Sequence, residues 1–335
     1  MRIAFFETTV KDRAYLSEKL THHEVVFYKE TLSVESAAQA ANCDIVSLFI
    51  YSAVTALILE KMPHLKAVLT RSTGFDHVDL VACAKRGVVV ENVPHYGENT
   101  VAEHTFALIL ALSRNVHKSH ARGQQGDFSI EGLMGFDLKD KMLGVVGTGR
   151  VGLHVIRIAK GFGMHVLATD ARPNTFLSEV LHFQYAPLDE VLARADIITL
   201  HVPYNEHTHH LINQAMIKKI KPGALLINTA RGGVVENEAL IAALDQGILS
   251  GAGLDVLEGE ETIIEESQCL HIDCHIDPAT REQYRHLLSR ENVVFTPHIG
   301  FYSSEAVKRI LDTTIENIDC FASGKKNNEV TSDLT

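Results

Sequence analysis

Short apolar runs and stretches of helical period alternate along the chain from its first residue. "RIAFFE", "EVVFY", "DIVSLFI", "KAVLTR" and "VVVEN" are β-rich, and between them apolar positions recur at helical spacing near 10–20, 33–41, 54–62 and 78–86. Strands separated by helices pair in parallel, because the helix supplies the crossover a parallel neighbour needs and covers a face of the sheet. The first part of the chain is therefore read as one α/β unit. A helical segment over roughly 99–122 follows, nearly continuously apolar in its first half. That is the pattern of a helix buried between layers or at a subunit contact. A second series then runs "MLGVVG", "HVLATD", "DIITLHV", "ALLINTA", "GAGLDV" and "NVVFT". This is a second α/β unit, and the cleft between two such units is the default ligand site. The helical tail from 301 to about 323 follows the last strand and is expected to return to the first unit, while the polar residues after it are expected to fray. The expected domains are 1–98 with 300–335, and 99–299.

Composition narrows the class of partner. A chain of 335 residues can build two sizeable cores, and its net charge of −11 leaves no basic face for a phosphate backbone. Nucleic acid is not an expected partner. The five cysteines are odd in number and lie mostly in apolar surroundings, which fits a reducing compartment better than a disulfide framework. "MRIAFFETTV" reads as a first strand, not a signal peptide, and "FALILAL" (106–112) is too short to span a bilayer. A cytoplasmic protein without membrane contact is expected.

"MLGVVGTGRVG" places Gly147, Gly149 and Gly152 in the spacing GxGxxG. The pattern is weak alone, but here an apolar strand precedes it and Val151, Val155, Ile158, Ala159 and Phe162 follow at helical spacing. Gly147 permits the tight turn, Gly149 lets the backbone approach a pyrophosphate, and Gly152 lets helix and strand pack closely. The next strand ends in Asp170, whose carboxylate would accept hydrogen bonds from a ribose and repel a 2′-phosphate, so NAD is expected over NADP; Arg172 weakens that preference without reversing it. The first unit's opening strand leads into "TTVKD" with no glycine, so only the second unit is expected to bind a dinucleotide.

Ligands of open parallel sheets gather outside the carboxyl ends of the strands. There "NTARGG" delivers Arg231, "GAGLDV" delivers Asp255 and, five residues on, Glu260, and "NVVFTPHIGFY" delivers His298. A lone histidine at a strand end is ordinarily a cap, Arg231 alone could be a structural ion pair, and Glu260 a solvated acid. Their convergence points instead to chemistry. Hydride transfer to a carbonyl leaves an alkoxide, and histidine can protonate it near neutral pH. Glu260, bonded to the far ring nitrogen, would fix the tautomer and favour the imidazolium, and Arg231 has the fork of donors that suits a carboxylate and a polarised carbonyl.

"GTGRVG", "LHVP", "INTARGGVV", "GLDVLEGEE" and "TPHIGFYS" resemble the D-isomer-specific 2-hydroxyacid dehydrogenase family, and "RSTGFDHVD" with "VPHYGENTVAEHTFALIL" resembles its D-lactate dehydrogenase branch. The resemblance runs from about 44 to 320. It implies an α/β protein of two doubly wound parallel-sheet domains, a flavodoxin-like substrate domain and a Rossmann NAD-binding domain. It implies that Arg231 binds substrate, that His298 is the proton donor with Glu260 as its partner, and that Arg150, Val151, Asp170, Val202, Pro203, Thr208, Thr229, Ala230 and Asp255 line the NAD site. Thr73, Gly74 and Tyr96 would receive the substrate carboxylate, Phe301 and Tyr302 would shape the pocket for the C3 group, and the long helix near 99–120 would build a homodimer. The expected reaction is reduction of a small 2-keto acid such as pyruvate to the D-hydroxy acid. Oxidation of another small anion on the same scaffold, or an NAD-sensing corepressor without turnover, are the alternatives; Glu260 speaks against formate, whose branch carries Gln there.

The chain departs from compact members in the 37 residues between Glu260 and His298, which include "CLHIDCHID". The spacing of Cys269, His271, Cys274 and His275 matches no ordinary zinc pattern, so no metal is expected there. "HTHH" at 207–210 is read as a cofactor contact, Thr208, flanked by surface histidines.

Overall fold

The structure is a computed structural model and describes residues 1–259 and 278–331. Glu260, Cys269, His271, Cys274 and His275 therefore lie outside the described residues. Two compact units share the chain: Met1–Tyr96 with the segment from Ser303 onward, and Gly97–Tyr302. The chain passes from one to the other two residues before the expected break at 98/99 and returns three residues after the one at 299/300.

In the first unit, β1 (Arg2–Phe5), β2 (Glu24–Phe27), β3 (Ile45–Leu48), β4 (Ala67–Thr70) and β5 (Val89–Glu91) form a parallel sheet in the order β2-β1-β3-β4-β5. Every residue of β3 and β4 is buried, because helices cover both faces. The first helix, Val10–Lys19, opens with a capping box in which Thr9 and Asp12 exchange side-chain-to-backbone hydrogen bonds, satisfying two amides that would otherwise lack partners. The tail helix, Ser304–Ala322, packs on that helix and on β4, burying Leu311 and Ile318 beside Ile3, Phe5 and Leu16.

Among the described residues, the tail is paired at 328–330, where the sequence suggested fraying. Residues 328–330 run antiparallel to β5, with Glu91 opposite Glu329, Asn92 N donating to Asn328 O at 3.1 Å and Val330 N to Val90 O at 2.8 Å. The cause is the open edge of β5, which offers unpaired backbone groups. Asn317, fully buried, secures the strap: its Nδ2 donates to Asn92 O at 2.9 Å and its Oδ1 accepts from Asn327 and Asn328 at 2.9 and 2.8 Å.

The same strap covers Glu91, which is 1 % exposed. Burial raises its pKa to about 7, Glu329 adds to the rise, and the amide of Asn327 opposes it. A carboxyl raised above its unfolded value of 4.5 stabilises the fold fully below that value and ceases to do so as pH climbs through about 7. Glu91→Gln should therefore melt a few degrees above the parent at pH 8, with the advantage shrinking towards pH 5. A difference in melting temperature that ignores pH would mean Glu91 does not titrate in this range.

In the second unit, β6 (Met142–Val146), β7 (His165–Thr169), β8 (Gln184–Tyr185), β9 (Ile197–Leu200), β10 (Ala224–Asn228), β11 (Leu249–Leu254) and β12 (Val293–Phe295) lie parallel in the order β12-β11-β10-β9-β6-β7-β8. The order reverses direction between β6 and β9, the switch point where such sheets bind ligands. Strand β8 has two residues, too few for a readable alternation.

The expected helix over 99–122 is two helices, Glu98–Ser113 and Val116–Gln124, broken at Asn115 with φ +51°. Asn tolerates this left-handed backbone better than most residues, so the chain turns there, just past the end of the apolar run at Leu112. Glu98–Ser113 packs on β10, β11 and β12 and buries Leu108 and Ile109, each contributing about 1.5–3 kcal/mol by removal from water. Among the described residues no helix is long and apolar enough to cross a membrane.

Candidate active site

The turn after β6 is built for close approach. Gly147 has φ +93°, and a Cβ there would lie 2.5 Å from His201 O; one on Gly152 would lie 2.1 Å from Gly147 O. Only glycine fits either place. Gly149 caps the helix Arg150–Gly161 with no side chain across its first amides, and nothing within 4 Å would meet a Cβ on Gly149. This leaves a helix N-terminus with its partial positive charge open to a pyrophosphate. Arg150 is exposed at the start of that helix and Val151 is half-buried beside it.

Asp170, just past β7, turns one carboxylate oxygen into this loop, accepting from Thr148 N at 2.6 Å and Thr148 Oγ1 at 2.9 Å. Its other oxygen accepts from Arg172 N at 2.8 Å. Burial pushes its pKa up, but the amides of Arg172 and Thr148 and the Thr148 hydroxyl outweigh that and leave the carboxyl below its ordinary value. The group is held ionised at the edge of the loop, as an acceptor for ribose hydroxyls must be. Together the glycine cradle, the open helix end and this carboxylate fit a dinucleotide.

Past β9 come His201, Val202 and Pro203. Desolvation drives the His201 imidazole down to about pKa 3, so it is neutral, and its Nε2 lies 2.6 Å from Thr199 Oγ1. Thr208 spends its hydroxyl on its own loop, donating to Pro203 O at 2.6 Å and accepting from Asn205 N at 2.9 Å.

The ends of β10, β11 and β12 are hydrogen-bonded neighbours. Past β10, buried Asn228 accepts from Ala230 N and donates to Arg231 O, both at 3.0 Å, bending the chain so that Arg231 follows in extended backbone. Thr229 and Ala230 are buried within this bend, and Thr229 Oγ1 meets Thr105 Oγ1 at 3.0 Å. Arg231 Nη1 donates to Ala230 O at 2.9 Å.

Asp255, past β11, is 2 % exposed and organises the loop that carries His298. Its Oδ1 accepts from Thr296 Oγ1 at 2.5 Å and Ile299 N at 3.0 Å, and its Oδ2 from Gly300 N at 2.8 Å. His298 N donates to Asp255 O at 2.8 Å, and the residue takes φ +51°. His104 Nε2, from the helix Glu98–Ser113, lies 3.1 Å from Asp255 Oδ1 and 2.9 Å from Thr296 Oγ1. The resemblance implies that Asp255 lines the cofactor site; in the structure its carboxylate is turned on the loop. The contact between His104 and Thr296, 192 residues apart, has no local signal in the sequence, where neither residue carries a site role of its own. Phe301 and Tyr302 follow, their rings edge-to-face at 5.6 Å, with Tyr302 largely exposed.

Thr73, Gly74 and Tyr96 belong to the other unit. Thr73 Oγ1 donates to Val93 O at 2.9 Å, Thr73 O accepts from Asn92 Nδ2 at 2.8 Å, and Ser72 Oγ donates to Gly74 O at 2.6 Å, so the loop past β4 is braced by its own polar groups. Tyr96 O accepts from Arg309 Nε at 2.7 Å.

Residues 106–300 match the family model described as D-isomer specific 2-hydroxyacid dehydrogenase, NAD binding domain. The chain is 36 % identical over 329 residues to a 2-hydroxyacid dehydrogenase homolog of Haemophilus influenzae, covering 97 % of each. It is 33 % identical to the D-lactate dehydrogenase of Escherichia coli, over 97 % of this chain and 98 % of that one. Among solved structures it is similar to the D-lactate dehydrogenase of Aquifex aeolicus complexed with NAD and lactic acid, at 36 % identity and a TM-score of 0.90 over 98 % of this chain and 99 % of that one.

Proposed function

The chain belongs to the D-isomer specific 2-hydroxyacid dehydrogenase family and is an NAD-dependent oxidoreductase, and from there we propose that its own reaction is reduction of pyruvate to D-lactate. The observation that carries the chemistry is the set of three adjacent strand ends, β10, β11 and β12, delivering Arg231, Asp255 and His298. The similarity to lactate enzymes over nearly the whole chain supports the choice of acid.

NADH, when bound, supplies the hydride for the keto carbon. The protein's residues do the rest. Gly147, Gly149 and Gly152 let the backbone reach the pyrophosphate, and Asp170 takes the ribose. Arg231 pairs with the substrate carboxylate and polarises the keto oxygen, work suited to a planar fork of charged donors. His298 holds a proton for that oxygen as negative charge develops on it, and Glu260 is assigned to keep the imidazole charged and oriented. The family resemblance assigns Thr73, Gly74 and Tyr96 to the substrate carboxylate and Phe301 and Tyr302 to the limit on the C3 group. The protein acts as a cytoplasmic homodimer paired beside the Glu98–Ser113 helix. Support for the pairing comes from the segment that follows, where Phe128, Ile130 and Met134 are 85 %, 86 % and 93 % exposed, an apolar display that marks a contact surface. The free thiols of Cys43, Cys83 and Cys320 suit a reducing compartment.

The test is NADH consumption with a panel of 2-keto acids, with product chirality followed and the best substrate repeated with NADPH. Pyruvate should be reduced fastest, to the D-product, with NADH preferred by at least about tenfold in kcat/KM, equivalent to about 1.4 kcal/mol. A longer aliphatic or aromatic keto acid outpacing pyruvate would move the assignment to another acid of the family; such acids differ by pocket contacts worth about 1–3 kcal/mol each. Tight NADH binding with no turnover on any keto acid would favour the sensing role instead.

A further inference from the structure

Three metal-ligating side chains that no step above uses meet beside the loop past β9. Among the described residues, His209, His210 and Glu258 each offer one ligating atom, and these atoms lie within 4.8 Å of one another. His209 and His210 come from the loop past β9, and Glu258 from the segment past β11, 48 residues further on from His210. His210 Nε2 is in direct hydrogen-bond contact with Glu258 Oε1. The two imidazoles stack with centroids 3.8 Å apart and planes 24° apart. A neutral imidazole has one ring nitrogen with a lone pair free for a cation, so each ring has one donor atom to give.

Further hydrogen bonds hold the three residues in place. His210 N donates to Gly233 O at 2.8 Å. Glu258 O accepts from Asn237 Nδ2 at 3.3 Å and from the Tyr284 hydroxyl, and Asn237 N donates to Glu258 Oε2 at 3.3 Å. Tyr204 Oη lies 3.1 Å from His209 Nδ1, the kind of outer partner that fixes the tautomer of a ligating histidine. The site also stays open to solvent: the side chains of His210 and Glu258 are 32 % and 31 % exposed, and His209 is exposed.

We propose that His209, His210 and Glu258 bind one divalent transition-metal ion of borderline softness, zinc being the reference case, with water completing its shell. Two imidazoles and a carboxylate are a common protein ligand set for zinc, whereas calcium and magnesium call for oxygen donors throughout. The ion ties the loop holding Thr208 to the segment that follows Asp255, so occupancy stabilises the Gly97–Tyr302 unit. The pair His210–Glu258 alone would account for the contact but not for His209 stacked over it.

The experiment uses the untagged, chelator-stripped chain titrated with zinc and, separately, with cobalt(II), without NADH or substrate. One equivalent should bind, raising the melting temperature by several degrees, and cobalt should give a ligand-field spectrum without sulfur charge transfer. His209→Ala, an exposed change that leaves turnover as in the parent, should weaken zinc binding at least about tenfold and remove most of the thermal shift; Glu258→Gln should do the same. Cys269→Ser with Cys274→Ser should change neither. Parental affinity in both His209→Ala and Glu258→Gln, or a sulfur charge-transfer band that the cysteine variant abolishes, would overturn the assignment and place the metal elsewhere.

Discussion

His298→Ala should lower kcat for keto-acid reduction by about 10²–10⁴-fold, the usual worth of a positioned proton donor, while NADH binds with nearly its parental affinity. The separation is expected because the position's structural role lies in its backbone. His298 N bonds to Asp255 O, and the flanking amides of Ile299 and Gly300 bond to the Asp255 carboxylate. None of these needs the imidazole. The left-handed φ of +51° does strain alanine more than histidine, so His298→Asn, which tolerates that backbone, serves as the second variant. Both should lose the dependence of reduction on a protonated donor, so that their residual rates vary less with pH than the parent's. Steady-state kinetics across pH, with NADH affinity followed by fluorescence, reads both. Turnover within about threefold of the parent in both variants would remove His298 from the role of acid.

What the sequence made legible was mostly local. The GxGxxG turn, Asp170 one strand on, and the apolar runs ending in Arg231, Asp255 and His298 could be read because each signal sits within about a dozen residues, and parallel pairing follows from the helices between. The strand order that makes β10, β11 and β12 neighbours supplied the convergence. Non-local facts were not legible. The break at Asn115 falls where the apolar run gives way to Ser113 and Arg114, which a helix also tolerates, and the strap over β5 depends on an edge 238 positions away, the separation of Glu91 and Glu329. "HTHH" read as surface histidines because Glu258, which meets two of them, belongs to a different loop.

Asp255→Ala should cut kcat by about 10²-fold and leave the pH dependence in place, a result that separates positioning from acid catalysis. The carboxylate is buried and accepts from Thr296 Oγ1 and from the amides of Ile299 and Gly300, with His104 Nε2 at 3.1 Å. Removing it orphans buried donors at about 1–3 kcal/mol each. The loop then holds His298 less closely, and a misplacement of about 1 Å can cost about 10²-fold in rate. The imidazole is still there, so the activity that survives should titrate as in the parent, unlike that of His298→Ala. Asp255→Asn should fall between, because its remaining oxygen can serve Thr296 and Ile299 while its amide faces the Gly300 N–H, donor against donor. The resemblance to the family implies a different role, a direct cofactor contact, and that role has its own signature: weakened NADH binding with kcat intact once NADH saturates. The split between kcat and the NADH dissociation constant in Asp255→Ala decides between the two, because a carboxylate spent on the loop acts through His298 and one that meets the dinucleotide acts through affinity.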